Sequence, residues 1–379
     1  MSEIKVNSIK GVGASAAAIT VNNTDGTCTA NITNNLSNRN LIINGAMQVA
    51  QRGTSSSSFD FTTVDRFRFL KRNTVDNLVI TQSQSTDSPD EFATSYMADV
   101  TTAESALAAD EFFYMSYKME AQDLQHIKGK QLTLSFHVKA YQTGTYSVSI
   151  YQQDGNLLVS GTYTINSSAT WEKKTITFPA NSGTQPDNNN ALGFEISWIL
   201  AAGSDFTSSN STSWTSYSNG GYAYGQGVNV MSSTDNYWKI TGVQLEVGSV
   251  ATDFEHRSLG QELALCQRYY YRWTAGATNR YAWMGMSYST TTCFGIVKPF
   301  PVEMRTVPTC SVSGTYKPFG SDGSTSGHTA FSSTAIDKAT KYEMSSSGWG
   351  GATGIQEGGR PVIVEASEAE AYMDASAEL

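Results

Sequence analysis

Leu132, Leu134, Phe136 and Val138 alternate with polar residues through Gln131-Leu-Thr-Leu-Ser-Phe-His-Val-Lys139. A period of two puts the four apolar side chains on one face of a strand and the polar ones on the other. A strand that buries one face needs a second layer to cover it, so this segment commits the chain to stacked sheets. Val243, Leu245 and Val247 repeat the pattern, which Gly248 ends. Phe113, Met115, Tyr117 and Met119 share a face within Glu111–Glu120, and Leu192, Phe194, Ile196 and Trp198 share another. Lys174–Phe178 alternates likewise, and Tyr146–Tyr151 and Asn156–Ser160 flank Gln152-Gln-Asp-Gly155, a hairpin turn. Many short strands separated by turn chemistry, with no long helical pattern from residue 40 to 257, predict a β-sandwich.

Composition narrows the function classes. Charged residues make up only 16% of the 379, and the net charge is −9 without a basic stripe. Nucleic-acid partners need clustered Lys and Arg, so none is expected. Eighteen apolar residues never run together, and Met1-Ser-Glu-Ile-Lys-Val6 lacks the apolar centre of a secretory signal, so we expect no membrane insertion and folding in a cytoplasm. Cys28, Cys266, Cys293 and Cys310 lack metal-ligand spacing and read as buried thiols. A Cys293–Cys310 disulfide stays open if their strands are neighbours.

Four segments follow from the pattern. Residues 1–39 hold two short apolar runs around Asp25-Gly26, a hairpin too small to bury a core alone. Residues 40–257 carry the sandwich strands. Over 258–275 the period changes: Leu259, Leu263 and Cys266, with Leu265 beside them, fall at helical spacing behind a Ser258/Gln261 capping box. The aromatic strand Tyr269–Trp273 follows. In 276–379, Thr292–Gly314 reads as two strands about a turn marked by Pro299, Pro301 and Pro308, which cannot donate to a ladder. A loop spans Gly320–Gly327, Pro361–Glu365 and Ala371–Asp374 close the sheet, and Ala377–Leu379 reads as the packed end of a strand.

A resemblance rests on longer phrases. His126-Ile-Lys-Gly-Lys130 with the strand after it, and Val243-Gln-Leu-Glu-Val-Gly-Ser-Val-Ala-Thr-Asp-Phe-Glu255, are similar to the closing strands of jelly-roll carbohydrate-binding modules. Asn40-Leu-Ile-Ile-Asn-Gly-Ala-Met-Gln-Val-Ala-Gln-Arg-Gly53, Thr63-Val-Asp-Arg-Phe67 and Glu255–Arg272 resemble a module of bacteriophage tail fibres and related virion proteins. The resemblance implies an all-β chain: an N-terminal extended arm, a jelly-roll β-sandwich, a short linking helix and a smaller C-terminal β-sandwich domain. It also implies a homotrimeric, non-enzymatic fibre of the virion, joined to other virion proteins through the arm and binding host-surface polysaccharide. A purely structural neck, capsid or decoration fibre, and a polysaccharide depolymerase, are the alternatives.

Catalytic constellations are sparse. His126, His137, His256 and His328 stand apart from one another, and no Gly-x-Ser-x-Gly elbow or phosphate-cradling glycine loop occurs. Asp253 and Glu255 read as structural. Arg66 and Arg68 are expected on one strand face with Phe67 and Phe69 on the other, which puts Asp65 on the aromatic side. A carboxylate there needs a buried ion pair or a structural calcium. No other cofactor is implied.

The sequence Ser213-Trp-Thr-Ser-Tyr-Ser-Asn-Gly-Gly-Tyr-Ala-Tyr224 gathers the candidate glycan-binding residues Trp214, Tyr217, Asn219, Tyr222 and Tyr224. Flat rings offer sugar-stacking faces, and hydroxyl and amide groups hydrogen-bond a glycan. The competing reading packs the same rings against the sandwich or a neighbouring subunit. Recognition by rings rather than charges is the expectation.

Overall fold

The computed structural model describes residues 8–9, 19–21, 28–30, 38–72, 77–319, 328–356 and 358–379. Near the N-terminus, Ile19–Val21 pairs antiparallel with Ser8–Ile9 and with Cys28–Ala30. The Asp25-Gly26 turn and the Gly320–Gly327 loop lie outside the described residues.

Ten strands build the sandwich: β1 (Phe67–Arg72), β2 (Val79–Ser85), β3 (Ser95–Thr102), β4 (Phe112–Glu120), β5 (Leu132–Ala140), β6 (Gly144–Gln152), β7 (Leu157–Ile165), β8 (Glu172–Phe178), β9 (Leu192–Ala202) and β10 (Tyr237–Val247). The front sheet runs β7-β6-β9-β4-β1, with the short strand Thr215–Ser216 beyond β7. The back sheet runs β8-β5-β10-β3-β2, with Ser55–Ser56 at its edge. All pairings are antiparallel, and strands adjacent in sequence often lie in opposite sheets. Alternation along each strand therefore delivers its apolar set to the space between the sheets. Phe113, Met115, Tyr117 and Met119 from β4 meet Leu134, Phe136 and Val138 from β5 and Val243 and Leu245 from β10 in one core. Trp198 and Trp238 are fully buried within it. The β5–β10 register slips between Thr241 and Gln244, where Gly242 has φ +62° and a Cβ would meet the Phe92 ring at 2.5 Å. Only glycine fits that bulge.

The helix α1 (Leu259–Gln267) starts with the expected capping box: Ser258 Oγ accepts from Gln261 N–H, and Gln261 Oε1 accepts from Ser258 N–H. Its buried face differs from the expected one. Leu259 and Leu265 are exposed, whereas Glu262 and Cys266 are buried. Glu262 accepts from the Asn44 backbone N–H at 2.7 Å and from Arg257 at 3.1 Å, so a satisfied carboxylate occupies the inner face that the leucines were expected to fill.

Beyond α1 lies a second core, around Trp283, Tyr316, Phe331 and Trp349. Among the described residues, three small antiparallel sheets make up this smaller β-sandwich region. Cys293 and Cys310 lie in different sheets, on Cys293–Phe294 and Thr309–Ser313, and both are free thiols, as is Cys266. Cys266 and Cys293 are buried, but Cys310 is only half-buried.

A seam of charged side chains joins the two cores. Arg268 grips Glu120 at the end of β4 through two 2.8 Å bonds, and the Tyr269 hydroxyl donates to the same carboxylate at 2.6 Å. Glu378, near the chain's end, pairs with Arg66 and, at 3.2 Å, with Arg52. Ala377 is buried and its N–H donates to Tyr269 O. Arg66 is not on the solvent side of a strand. It lies just before β1 at φ +73°, is buried, and stacks over the Tyr269 ring at 3.4 Å from the centroid. Asp65 is buried beside Arg52 at 3.6 Å and accepts from Gln51, which is the ion-pair reading. Among the described residues, no group of three or more His, Cys, Asp or Glu is placed to hold a metal.

Candidate functional site

The outward face of the front sheet carries polar and aromatic residues in register. β1 contributes Arg68 and Arg72, β4 Tyr114 and Ser116, β9 Glu195 and Ser197, and β6 Tyr151. Pairing places Arg68 opposite Ser116, Glu195 opposite Lys118, and Tyr151 opposite Glu195. The segment from Ser204 to Tyr224 crosses part of this face. Its Phe206, Tyr222 and Ala223 pack on Phe112, Tyr114, Leu158 and Ile199, a small apolar cluster outside the main core. What the segment leaves uncovered is an open groove of about 390 Å³, lined by Arg68, Arg72, Tyr114, Tyr151, Asn156, Glu195, Tyr217 and Tyr222.

Edge-to-face rings give the groove its shape. Tyr151 and Tyr217 meet at 5.2 Å and 70°, Tyr217 and Tyr222 at 6.0 Å and 74°, and Tyr222 and Tyr114 at 6.4 Å and 79°. Hydrogen bonds fix the polar atoms. The Tyr151 hydroxyl donates to Asn156 Oδ1 at 3.1 Å, the Tyr217 hydroxyl to Asn219 Oδ1 at 2.8 Å, and Ser116 Oγ to Glu195 Oε1 at 2.5 Å. Arg72 lines the groove beside Tyr217, and Arg68 pairs with Asp60 at 2.9 Å. Burial pushes the Tyr114 hydroxyl up to about 12 and that of Tyr222 well above its usual value, so both stay protonated at neutral pH.

Of the five residues singled out in the sequence, Tyr217 and Tyr222 line the groove. Tyr222 is almost wholly buried, with its hydroxyl 2.9 Å from Ser197 Oγ. Asn219 is exposed and holds Tyr217 from behind. Trp214 is half-buried: its Nε1 donates to Pro179 O at 2.8 Å and its ring lies 5.9 Å from Phe194. Tyr224 is half-buried and does not line the groove. Sequence reasoning missed Arg68, Arg72, Tyr114, Tyr151, Asn156 and Glu195. The signal was present for Tyr114 and Glu195, which are the out-of-phase positions of strands whose inward phase had been read. Deciding that outward phases from separate strands converge required the sheet order.

Comparisons with known proteins give structural neighbours alone. No protein-family model and no curated protein sequence matches the chain. Among solved structures, the chain is similar to the enzymatically active domain of tailspike protein 4 of bacteriophage CBA120, at 15% identity and a TM-score of 0.29 over 55% of this chain. That match spans 21% of the tailspike domain, so the chain covers about a fifth of its length. A carbohydrate-binding module designated CBM4 matches at 13% identity and a TM-score of 0.30, over 54% of this chain and 98% of its own. A putative sugar-binding protein from Bacteroides thetaiotaomicron matches at 14% and 0.30, over 55% and 100%.

Proposed function

We propose that this chain is a bacteriophage virion protein, a trimeric tail fibre without catalytic activity, that binds host-surface polysaccharide in the groove on its front sheet. The observation that carries the binding reading is the groove itself. Half-exposed Tyr151 and Tyr217 stand in an edge-to-face pair, flanked by Asn156, Glu195 and two guanidinium groups. Ring faces stack on the apolar faces of sugars while the polar atoms around them take hydroxyl hydrogen bonds. The virion assignment is supported by the tail-fibre-like phrases of the sequence. Residues 1–39 are the proposed attachment to other virion proteins. Ile9 is exposed there, and three very short strands cannot bury a core without further copies. A strip of exposed apolar side chains on Arg280–Ser287 and just after it, including Met284, Met286 and Tyr288, offers the copies a second surface to share.

Trp214 and Tyr222 are tied into the packing of the sheet, whereas Tyr151 and Tyr217 are half-exposed in the groove. Replacing Tyr151 and Tyr217 by alanine should weaken binding of the full-length chain to host-surface polysaccharide about tenfold or more, while circular dichroism shows the β fold retained. Undiminished binding by that double variant would move the receptor site elsewhere. Light scattering on the same preparation checks the assembly, and a monomer mass at micromolar concentration would remove the trimer.

A further inference from the structure

We infer that the glycan taken by this groove is anionic, with a carboxylate or sulfate on a sugar ring held by Arg72. The inference rests on the groove being the glycan site and specifies what that site selects. Overall the chain has 34 acidic residues against 25 basic ones. The groove is lined by two guanidinium groups, Arg68 and Arg72, and one carboxylate, Glu195. Arg68 is paired with Asp60 at 2.9 Å, and Glu195 accepts from the neutral Ser116 hydroxyl through Oε1. Among the described residues, no carboxylate lies within ion-pair distance of Arg72.

Arg72 lies at the groove wall beside Tyr114, Tyr217 and Tyr222. The Tyr217 hydroxyl donates to Asn219 Oδ1 at 2.8 Å, which fixes the ring next to it. A guanidinium has five donors in a planar fork, and the neighbouring Tyr217 ring can carry the sugar. Carboxylate and sulfate both suit the fork, and Glu195 and Asn156 remain as acceptors for sugar hydroxyls. A neutral sugar would satisfy those acceptors but leave the cation without its counter-charge. Charge therefore joins the rings in recognition, which ring chemistry read from the sequence alone did not include.

Calorimetric titration of the full-length chain with three galactose-based probes tests this: neutral β-1,4-galactan oligosaccharides, oligogalacturonate, and sulfated carrageenan oligosaccharides. At least one charged probe should bind about tenfold more tightly than the neutral one and weaken as salt rises. The charged probe that binds tells carboxylate from sulfate. Arg72→Gln should erase that preference, and Arg72→Lys should restore only part of it, because the charge returns without the fork. Lys173→Gln, an exposed lysine of the back sheet, should change nothing. Equal affinity for neutral and charged probes, or a preference that survives Arg72→Gln, overturns the inference while leaving the groove as a neutral-glycan site. Binding that survives the Tyr151/Tyr217 double alanine variant overturns the groove itself, and no binding to any probe overturns the inference.

Discussion

The space between the two sheets and the seam between the two cores are both buried, but they are held by opposite chemistry. Between the sheets, Phe69 meets Tyr96 at 4.6 Å, Phe136 meets Trp198 at 6.1 Å, and Tyr146 stacks on Tyr163 at 5.3 Å, with no ion pair among them. At the seam, Arg52, Asp65, Arg66, Glu120, Arg268 and Glu378 meet, with arginines lying over tyrosine rings. A dry layer is stabilised by area and shape, and each ring contributes in proportion to what it buries. A charged seam gains little from each pair, because desolvation offsets attraction, yet it loses heavily when one partner goes. The core therefore sets how stable the sandwich is. The seam sets where the C-terminal strands must dock.

The largest expected effect tests the dry layer. Trp198→Ala removes a fully buried side chain that touches both sheets and should cost about 3–5 kcal/mol in denaturant unfolding. A cost under about 1 kcal/mol would mean the layer collapses freely around the gap, and the contrast with the seam would be lost.

Glu378→Ala probes the other side of the comparison. It leaves Arg66, a buried guanidinium, with ring stacking and one bond to Lys118 O but no counter-charge. About 3 kcal/mol is expected, the low end of the range for breaking a buried pair, because the ring stacking and the bond to Lys118 O remain. Limited proteolysis should show new cleavage in 270–379 while fragments spanning the sandwich persist. Uniform cleavage along the whole chain would show that seam and core fail together.

The same contrast explains what the sequence revealed. Alternation is a property of a single strand, so the runs Leu132–Val138, Phe113–Met119, Leu192–Trp198 and Val243–Val247 were legible before any pairing was known. The capping box of α1 was equally local. Its buried face was not, because Glu262 goes inward only where Asn44 and Arg257, distant in sequence, offer it donors. Arg66 was misassigned for a related reason. Extending the strand phase back by one residue ignored the positive φ that turns its side chain toward Glu378. The groove was half legible: Tyr217 and Tyr222 cluster in sequence, whereas Arg72, Tyr151 and Glu195 come together only through sheet order.

The smallest expected effect concerns pH and divides the seam itself by sign. Burial pushes the Asp65 carboxyl up to about 6, and the nearby Glu378 charge adds to this, against the pull of Arg52 and of the Gln51 hydrogen bonds. Unfolded, the same group titrates near 3.9. Between those values the folded chain binds more protons than the unfolded one, so this group's contribution to stability falls as pH rises from about 4 to about 6, and is constant above. Glu120 runs the other way. Burial raises it, but the Arg268 and Tyr269 bonds outweigh burial and hold it below the usual carboxylate range, so its contribution is lost only in acid. Asp65→Asn removes one titration and keeps the other. Relative to the unaltered chain, the variant should gain on the order of 1–3 kcal/mol between pH 4 and pH 7, whatever its absolute stability. Unfolding midpoints measured at half-unit steps provide the check. A difference that stays flat across that window would mean Asp65 is ionised throughout and fully paired with Arg52, leaving Glu120 to carry the seam's pH dependence in acid.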